Sequence, residues 1–126
     1  MARCEGNGET SLLHASHDGQ VEIVSALFEA GVVADPANSY GLRPLIAAST
    51  KGHTSVVSML LEASAAVNQD DEEGLTPLLA ACCHGHLPVV STLLAAGAAV
   101  NQANNKGIAP LSAASRQGHA PVVSTL

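Results

Sequence analysis

The chain of 126 residues has almost no aromatic side chains: Trp is absent, and Tyr40 and Phe28 are the single Tyr and the single Phe. A core made from what remains, mostly Ala, Val and Leu, suits helices, because small contact residues allow short interaxial distances. Positive charge is also scarce, five Lys and Arg against eleven Asp and Glu, for a formal charge of −6. That balance argues against nucleic acid or an anionic membrane as the main partner, since both are held by cationic groups. No apolar run approaches the roughly 20 residues of a membrane-spanning helix. The opening MARCEGNGET has no apolar segment of the signal-peptide kind. Three cysteines, two of them adjacent as Cys82-Cys83, do not make a secreted disulfide framework and point to a reducing compartment. Phosphate-binding loops, H-E-x-x-H and G-x-S-x-G are all missing. The expectation is an intracellular chain, cytoplasmic or nuclear, with no cofactor, no metal, no small-molecule substrate and no catalytic residues.

What the sequence does have is a period. Gly19, Gly52, Gly85 and Gly118 are spaced 33 apart, and so are Gly8, Gly41, Gly74 and Gly107. Pro-Val-Val-Ser-Thr-Leu occurs at 88–93 and again at 121–126. The clearest copy lies within Asp71 to Gln102: Gly74-Leu75-Thr76-Pro77-Leu78, Ala80-Ala81, Gly85-His86, Val89-Val90, Leu93-Leu94, Gly97-Ala98 and Val100-Asn101. On these residues, and on their recurrence in register, the sequence resembles the ankyrin-repeat family. The likeness covers nearly everything after residue 6.

The resemblance implies an all-α fold, an α-solenoid of stacked helix-turn-helix repeats with short hairpin-like fingers between them. Residues 1–6 are expected to be a disordered lead-in. Four units follow, at about 7–38, 39–71, 72–104 and 105–126, the last truncated. In unit three Thr76 is placed as the N-cap and Pro77 at the first helical position of a helix over about 77–84, which Gly85 ends. A second helix opens near Leu87-Pro88, buries Val89, Val90, Leu93 and Leu94, and stops at Gly97. In unit one Thr10 is read as the cap of a helix over Ser11–His17. The second helix there is Val21–Ala30, with Val24, Leu27 and Phe28 inward, and Val32-Val33 replaces the usual turn residues. In unit two Arg43 takes the Thr position and loses the side-chain cap, while Ser64 replaces Gly and weakens the helix end.

Unit four carries a second helix of about six residues, which leaves Val122, Val123 and Leu126 to meet solvent where a further unit or a polar cap is expected. The chain then reads as a fragment of a longer array, and an uncapped apolar end makes self-association plausible.

Carried over by position, the family's recognition surface falls on finger tips and the open ends of the first helices. In unit one these are Asn7, Glu9, His17 and Asp18, and in unit two Ser39, Tyr40, Leu42, Thr50 and Lys51. Unit three contributes Asp70, Glu72, Glu73, Leu75, Cys83 and His84, and unit four Asn105, Lys106, Ile108, Arg116 and Gln117. These positions vary between units while the Gly, Pro, Leu and Val positions repeat, as a binding surface on a constant frame would. The bland reading is of solvated positions free to drift. Tyr40 is a candidate interface anchor. The run Asp70-Asp71-Glu72-Glu73 would attract a basic partner, although charge runs also mark wet surface, and Asp71 is placed to brace the turn.

Cys82, Cys83, His84 and His86 invite a metal or a Cys-His catalytic reading. They lack paired ligand spacing, and Cys83 and His84 are helix neighbours that do not face each other. His53, His86 and His119 recur at one turn position, which makes them braces of the fold. The functional expectation is a non-catalytic module binding a partner protein through a concave groove. The alternatives are a targeting or regulatory segment of a longer enzyme or channel, or a structural spacer without its own partner.

Overall fold

The structure is a computed structural model that describes residues 7–31, 43–63, 65–71, 73–116 and 118–126. The lead-in 1–6, Val32-Val33, Ser39, Tyr40, Leu42, Ser64, Glu72 and Gln117 lie outside the described residues. Eight helices follow in order among the described residues: α1 (Asn7–Asp18), α2 (Val21–Glu29), α3 (Pro44–Lys51), α4 (Thr54–Glu62), α5 (Pro77–His84), α6 (Leu87–Ala95), α7 (Pro110–Arg116) and α8 (Ala120–Thr125). Each odd-numbered helix packs on the even-numbered one that follows it. The odd helices stack in one row, α1 on α3 on α5 on α7, and the even helices in a second. No helix of the described residues is long and apolar enough to cross a membrane.

Helices of six to twelve residues are marginal on their own, so the core between the two rows supplies the order. Leu12, Leu45, Leu60, Leu78, Leu79 and Leu93 form that core with Val24, Val56, Val57, Val89, Val90 and the small Ala48, Ala81 and Ala114.

Local chemistry sets where each helix starts and stops. Thr76 is extended at φ −100° and ψ 163°, and its side-chain oxygen accepts the Leu79 backbone N–H at 3.1 Å, with Pro77 opening α5 as expected. Arg43 is likewise extended but makes no cap bond. In α1 the expectation needs correction. The helix begins at Asn7, so Thr10 lies inside it and is not its cap. The physical reason is Ser11: Pro44, Pro77 and Pro110 open the corresponding helices and drive the residue before them out of helical geometry, and nothing in unit one does so.

Unit four also departs from expectation. Its second helix has the expected six residues. Val122, however, is 1% exposed, and Val123 and Leu126 pack against the core. The side chain left in solvent is Leu111, 49% exposed where Leu78 one unit earlier is 1% exposed. Val122 occupies the position that faces backward onto α6 and α7, whereas Leu111 occupies the one that faces forward.

The connectors after α4 and after α6 form turns closed by side chains. Asp71 Oδ1 accepts the backbone N–H of Glu73 and of Leu75, both at 2.9 Å. Asn104, one period later, accepts from Lys106 and Ile108 at 2.8 and 3.0 Å. The two fingers are tied together: the Asn105 N–H donates to the Glu73 carbonyl at 3.0 Å, and the Ala99 N–H to Asn68 Oδ1 at 2.7 Å.

Candidate functional site

Along the open side of α1 and α3 runs a cavity of about 670 Å³, lined by Leu13, His14, His17, Asp18, Arg43, Ile46, Ala47, Thr50, Asp71 and Leu75. Its floor is apolar, Leu13 and Ile46 being successive members of one position in the repeat, with Ala47 beside them. The base of the finger closes the far side through Asp71 and Leu75. Polar groups sit at the rim. His17 Nδ1 is 3.1 Å from Asp18 Oδ1. The Arg43 Nε–H donates to the Asp70 carbonyl at 3.3 Å, so the residue that forgoes capping spans from helix to finger and becomes a wall of the cavity. An apolar floor with a few convergent polar groups is the usual form of a binding cleft.

Of the residues expected at the binding surface, Thr50 and Leu75 line this cavity, with His17 and Asp18 from unit one. The rest are spread along the stack. Lys51 is exposed on the last turn of α3, and half-buried Asp70 contributes its carbonyl to Arg43. Glu73, Asn105 and Lys106 are exposed on adjoining fingers, while Ile108 packs against the core. Cys83 is half-buried and its carbonyl accepts from His119, His84 is exposed, and Arg116 is exposed at the end of α7. Tyr40, Leu42, Glu72 and Gln117 lie outside the described residues.

Six lining residues were not anticipated as site residues: Leu13, His14, Arg43, Ile46, Ala47 and Asp71. One signal was available in the repeat columns. His14 stands where the other units have Ala47, Ala80 and Ala113, a departure of the same kind that selected the finger positions.

The recurring histidines are engaged elsewhere. Nε2 of His53, His86 and His119 lies 3.0, 2.9 and 3.3 Å from the carbonyls of His17, Thr50 and Cys83 in the preceding unit. A carbonyl only accepts, so Nε2 carries the proton in each. His86, held in this way, is turned away from ligand duty. Among the described residues no three His, Cys, Asp or Glu side chains gather as metal ligands.

The cysteines sit on the packed side. Cys82 is fully buried, at the position filled in units one and two by Ser16 and Ser49, whose buried hydroxyls have no hydrogen-bond partner among the described residues. A thiol, a small hydrophobe with a weak donor, suits that site. Burial first, and the neighbouring Cys83 second, push the Cys82 thiol up to about 12. Burial also raises Cys83, against the opposing pull of Arg116. A nucleophilic thiol needs the opposite shift.

A pH dependence follows with a definite sign. Between 9.0, the ordinary value, and about 12 the unfolded chain releases the Cys82 proton and the folded chain keeps it. The contribution is therefore full below 9.0 and lost as pH rises toward about 12. The loss is at most about 1.4 kcal/mol per pH unit. Denaturant unfolding of the parent and of Cys82→Ser at pH 8 and above pH 10 should show the parent losing more; parallel losses would mean that the thiol ionises as in a free chain.

No curated protein matches this chain. A family model described as "Ankyrin repeats (3 copies)" matches residues 1–71 and again 64–126. With the period of 33, the paired rows of helices and the finger turns all in register with it, the chain belongs to the ankyrin-repeat family.

Proposed function

We propose that this chain binds an extended segment of a partner protein along the open side of α1 and α3. The partner places an apolar side chain between Leu13, Ile46 and Leu75 and basic residues against the acidic rim. Ankyrin repeats are generally protein-interaction modules. The observation that carries the finer reading is the cavity itself, wide enough for a large side chain and floored by apolar atoms. Charge supports the basic preference: Asp18 and Asp71 stand at the cavity, Asp70 and Glu73 beside it, and the whole chain is at −6. Such a field speeds encounter with a cationic segment and rejects an acidic one. The partner does the adapting, because a stacked array changes little on binding.

The test is selection from a displayed random-peptide library, followed by titration of the winners against two variants. Ala47→Arg fills the cavity, and Asp18→Lys reverses one rim charge. Both positions are at least partly exposed, and helical circular dichroism checks folding. Selected peptides should pair an apolar residue with Lys or Arg and lose at least about 10-fold in affinity to Ala47→Arg, which is about 1.4 kcal/mol. The loss to Asp18→Lys should be smaller and should shrink in high salt. Winners that are acidic, or that bind Ala47→Arg as well as the parent, would overturn the reading.

A further inference from the structure

The row of even-numbered helices carries a depression of its own, about 350 Å³, between α2 and α4. Ser25, Phe28 and Glu29 line it from α2, and Met59, Glu62 and Ala63 from α4 and its C-cap. It lies at the internal junction of units one and two and shares no residue with the cavity on α1 and α3.

The repeat columns show what is particular to this junction. Phe28, the single Phe, stands where later units have Leu61 and Leu94. Met59 is the large apolar member of a column otherwise filled by Ala26, Thr92 and Thr125. Both are half-buried, packing against the core while they line the depression. Glu29 and Glu62 occupy one column, so this junction has a carboxylate on both walls, whereas the next pairs Glu62 with Ala95.

The carboxylates are set against the local electrostatics. Each is the last residue of its helix, and neither helix has a basic residue in its last turn. A helix C-terminus carries partial negative charge, which cations stabilise and anions do not. Here two such ends border one depression with a like charge on each. Both side chains are exposed, and among the described residues neither has an ion-pair or hydrogen-bond partner. A placement that costs the fold stability, with nothing in the fold to offset it, is the mark of a functional position.

We infer that this depression takes an arginine side chain of a partner protein, as a docking point separate from the cavity on α1 and α3. The guanidinium lies against Phe28 and Met59 and donates N–H groups to Glu29 and Glu62. Charge complementarity selects a cation, since two carboxylates and two helix C-termini border the same space. The apolar floor selects arginine among cations. A planar, weakly hydrated guanidinium stacks on an aromatic face and offers donors along several edges, whereas an ammonium is compact and strongly hydrated. A bare divalent ion is not matched: it needs more oxygen ligands, and among the described residues no third acidic, His or Cys side chain joins the pair.

The chain carries its own reporters for the test. Fluorophenylalanine labels Phe28 alone, and a labelled methionine methyl group gives a signal from Met59 beside that of Met1. In an NMR titration of the whole chain, acetyl-Gly-Arg-Gly-amide should move the Phe28 and Met59 signals together and to saturation. The same peptide with Lys in place of Arg should move them less at equal concentration. Glu29→Gln/Glu62→Gln should weaken the arginine peptide at least about 5-fold. Glu22→Gln, which removes a charge from the first turn of α2 outside the depression, should not. In the free protein the double variant should unfold at a higher urea concentration than the parent, because like charges leave the two helix ends. All three glutamates are exposed, and circular dichroism checks that the variants fold. Signals that do not move, a lysine peptide that binds as tightly, or arginine binding that survives the double variant would each overturn the proposal. So would a lower urea midpoint for the double variant, which would make the two carboxylates supports of the fold.

Discussion

Gly52→Ala is expected to cost about 3 kcal/mol of stability, and Gly118→Ala only about 1 kcal/mol. The two glycines share a repeat position and a backbone conformation, at φ +78° and +75°. Placing a Cβ in the left-handed region costs both about the same, of order 1 to 2 kcal/mol. They differ in what the Cβ meets. At Gly52 it would lie 2.7 Å from Nδ1 of His86, whose Nε2 is held 2.9 Å from the Thr50 carbonyl. The ring has to leave, and the bond between units goes with it. At Gly118 nothing lies within 4 Å.

Urea unfolding of both variants measures the difference. The double variant Gly52→Ala/His86→Ala tests its cause. If the ring is what the methyl strikes, the double variant loses less than the sum of the singles, by about 1 kcal/mol or more. Equal losses at Gly52 and Gly118, or strict additivity in the cycle, would show that the histidine contact does not brace adjoining units.

Leu78→Ala should lower stability by about 3 to 4 kcal/mol, and Leu111→Ala by less than about 1 kcal/mol. These leucines are also one period apart and begin the same motif, Pro-Leu, at the start of a first helix. Leu78 is 1% exposed in the shared core, so its removal leaves a cavity that α5 and its neighbours cannot fill without shifting. Leu111 already meets solvent, and its truncation leaves no void. In a stack held by nearest-neighbour contacts, damage in unit three loosens the packing on both sides. A few kcal/mol is a large share of the stability of any domain. Measurement is by urea midpoint, with helical circular dichroism as the signal. Leu111→Ala matching Leu78→Ala in cost would mean that Leu111 is covered in solution.

Much of the frame was legible because its determinants are short-range. Thr76 caps a helix that Pro77 opens, Gly85 ends it, and Asp71 closes a turn through atoms two and four residues away. The period then copied these local instructions along the chain. Where the instruction was missing, the reading failed. Without a proline at Ser11 the first helix ran back to Asn7, and Thr10 lost the role assigned to it.

The candidate site was less legible, because it is made between units. His17, Asp18, Thr50 and Leu75 were expected at a binding surface, but the cavity that joins them also needs Leu13, His14, Ile46 and Ala47 from helix faces that a repeat pattern marks as core. It needs Arg43 as well, whose reach to the Asp70 carbonyl spans 27 positions of sequence.

By itself, then, the sequence determined the repeat, the family, the helix pairs, the cap at Thr76 and the turn at Asp71, because each depends on residues within one unit. Only the tertiary structure decided which members of an identical column are buried. Ile23 and Val56, or Leu78 and Leu111, carry nearly the same side chain in the same local setting and differ only in whether a neighbouring unit lies against them. Burial belongs to the stack, since it depends on the atoms on the far side of the contact, and so does the cavity between units.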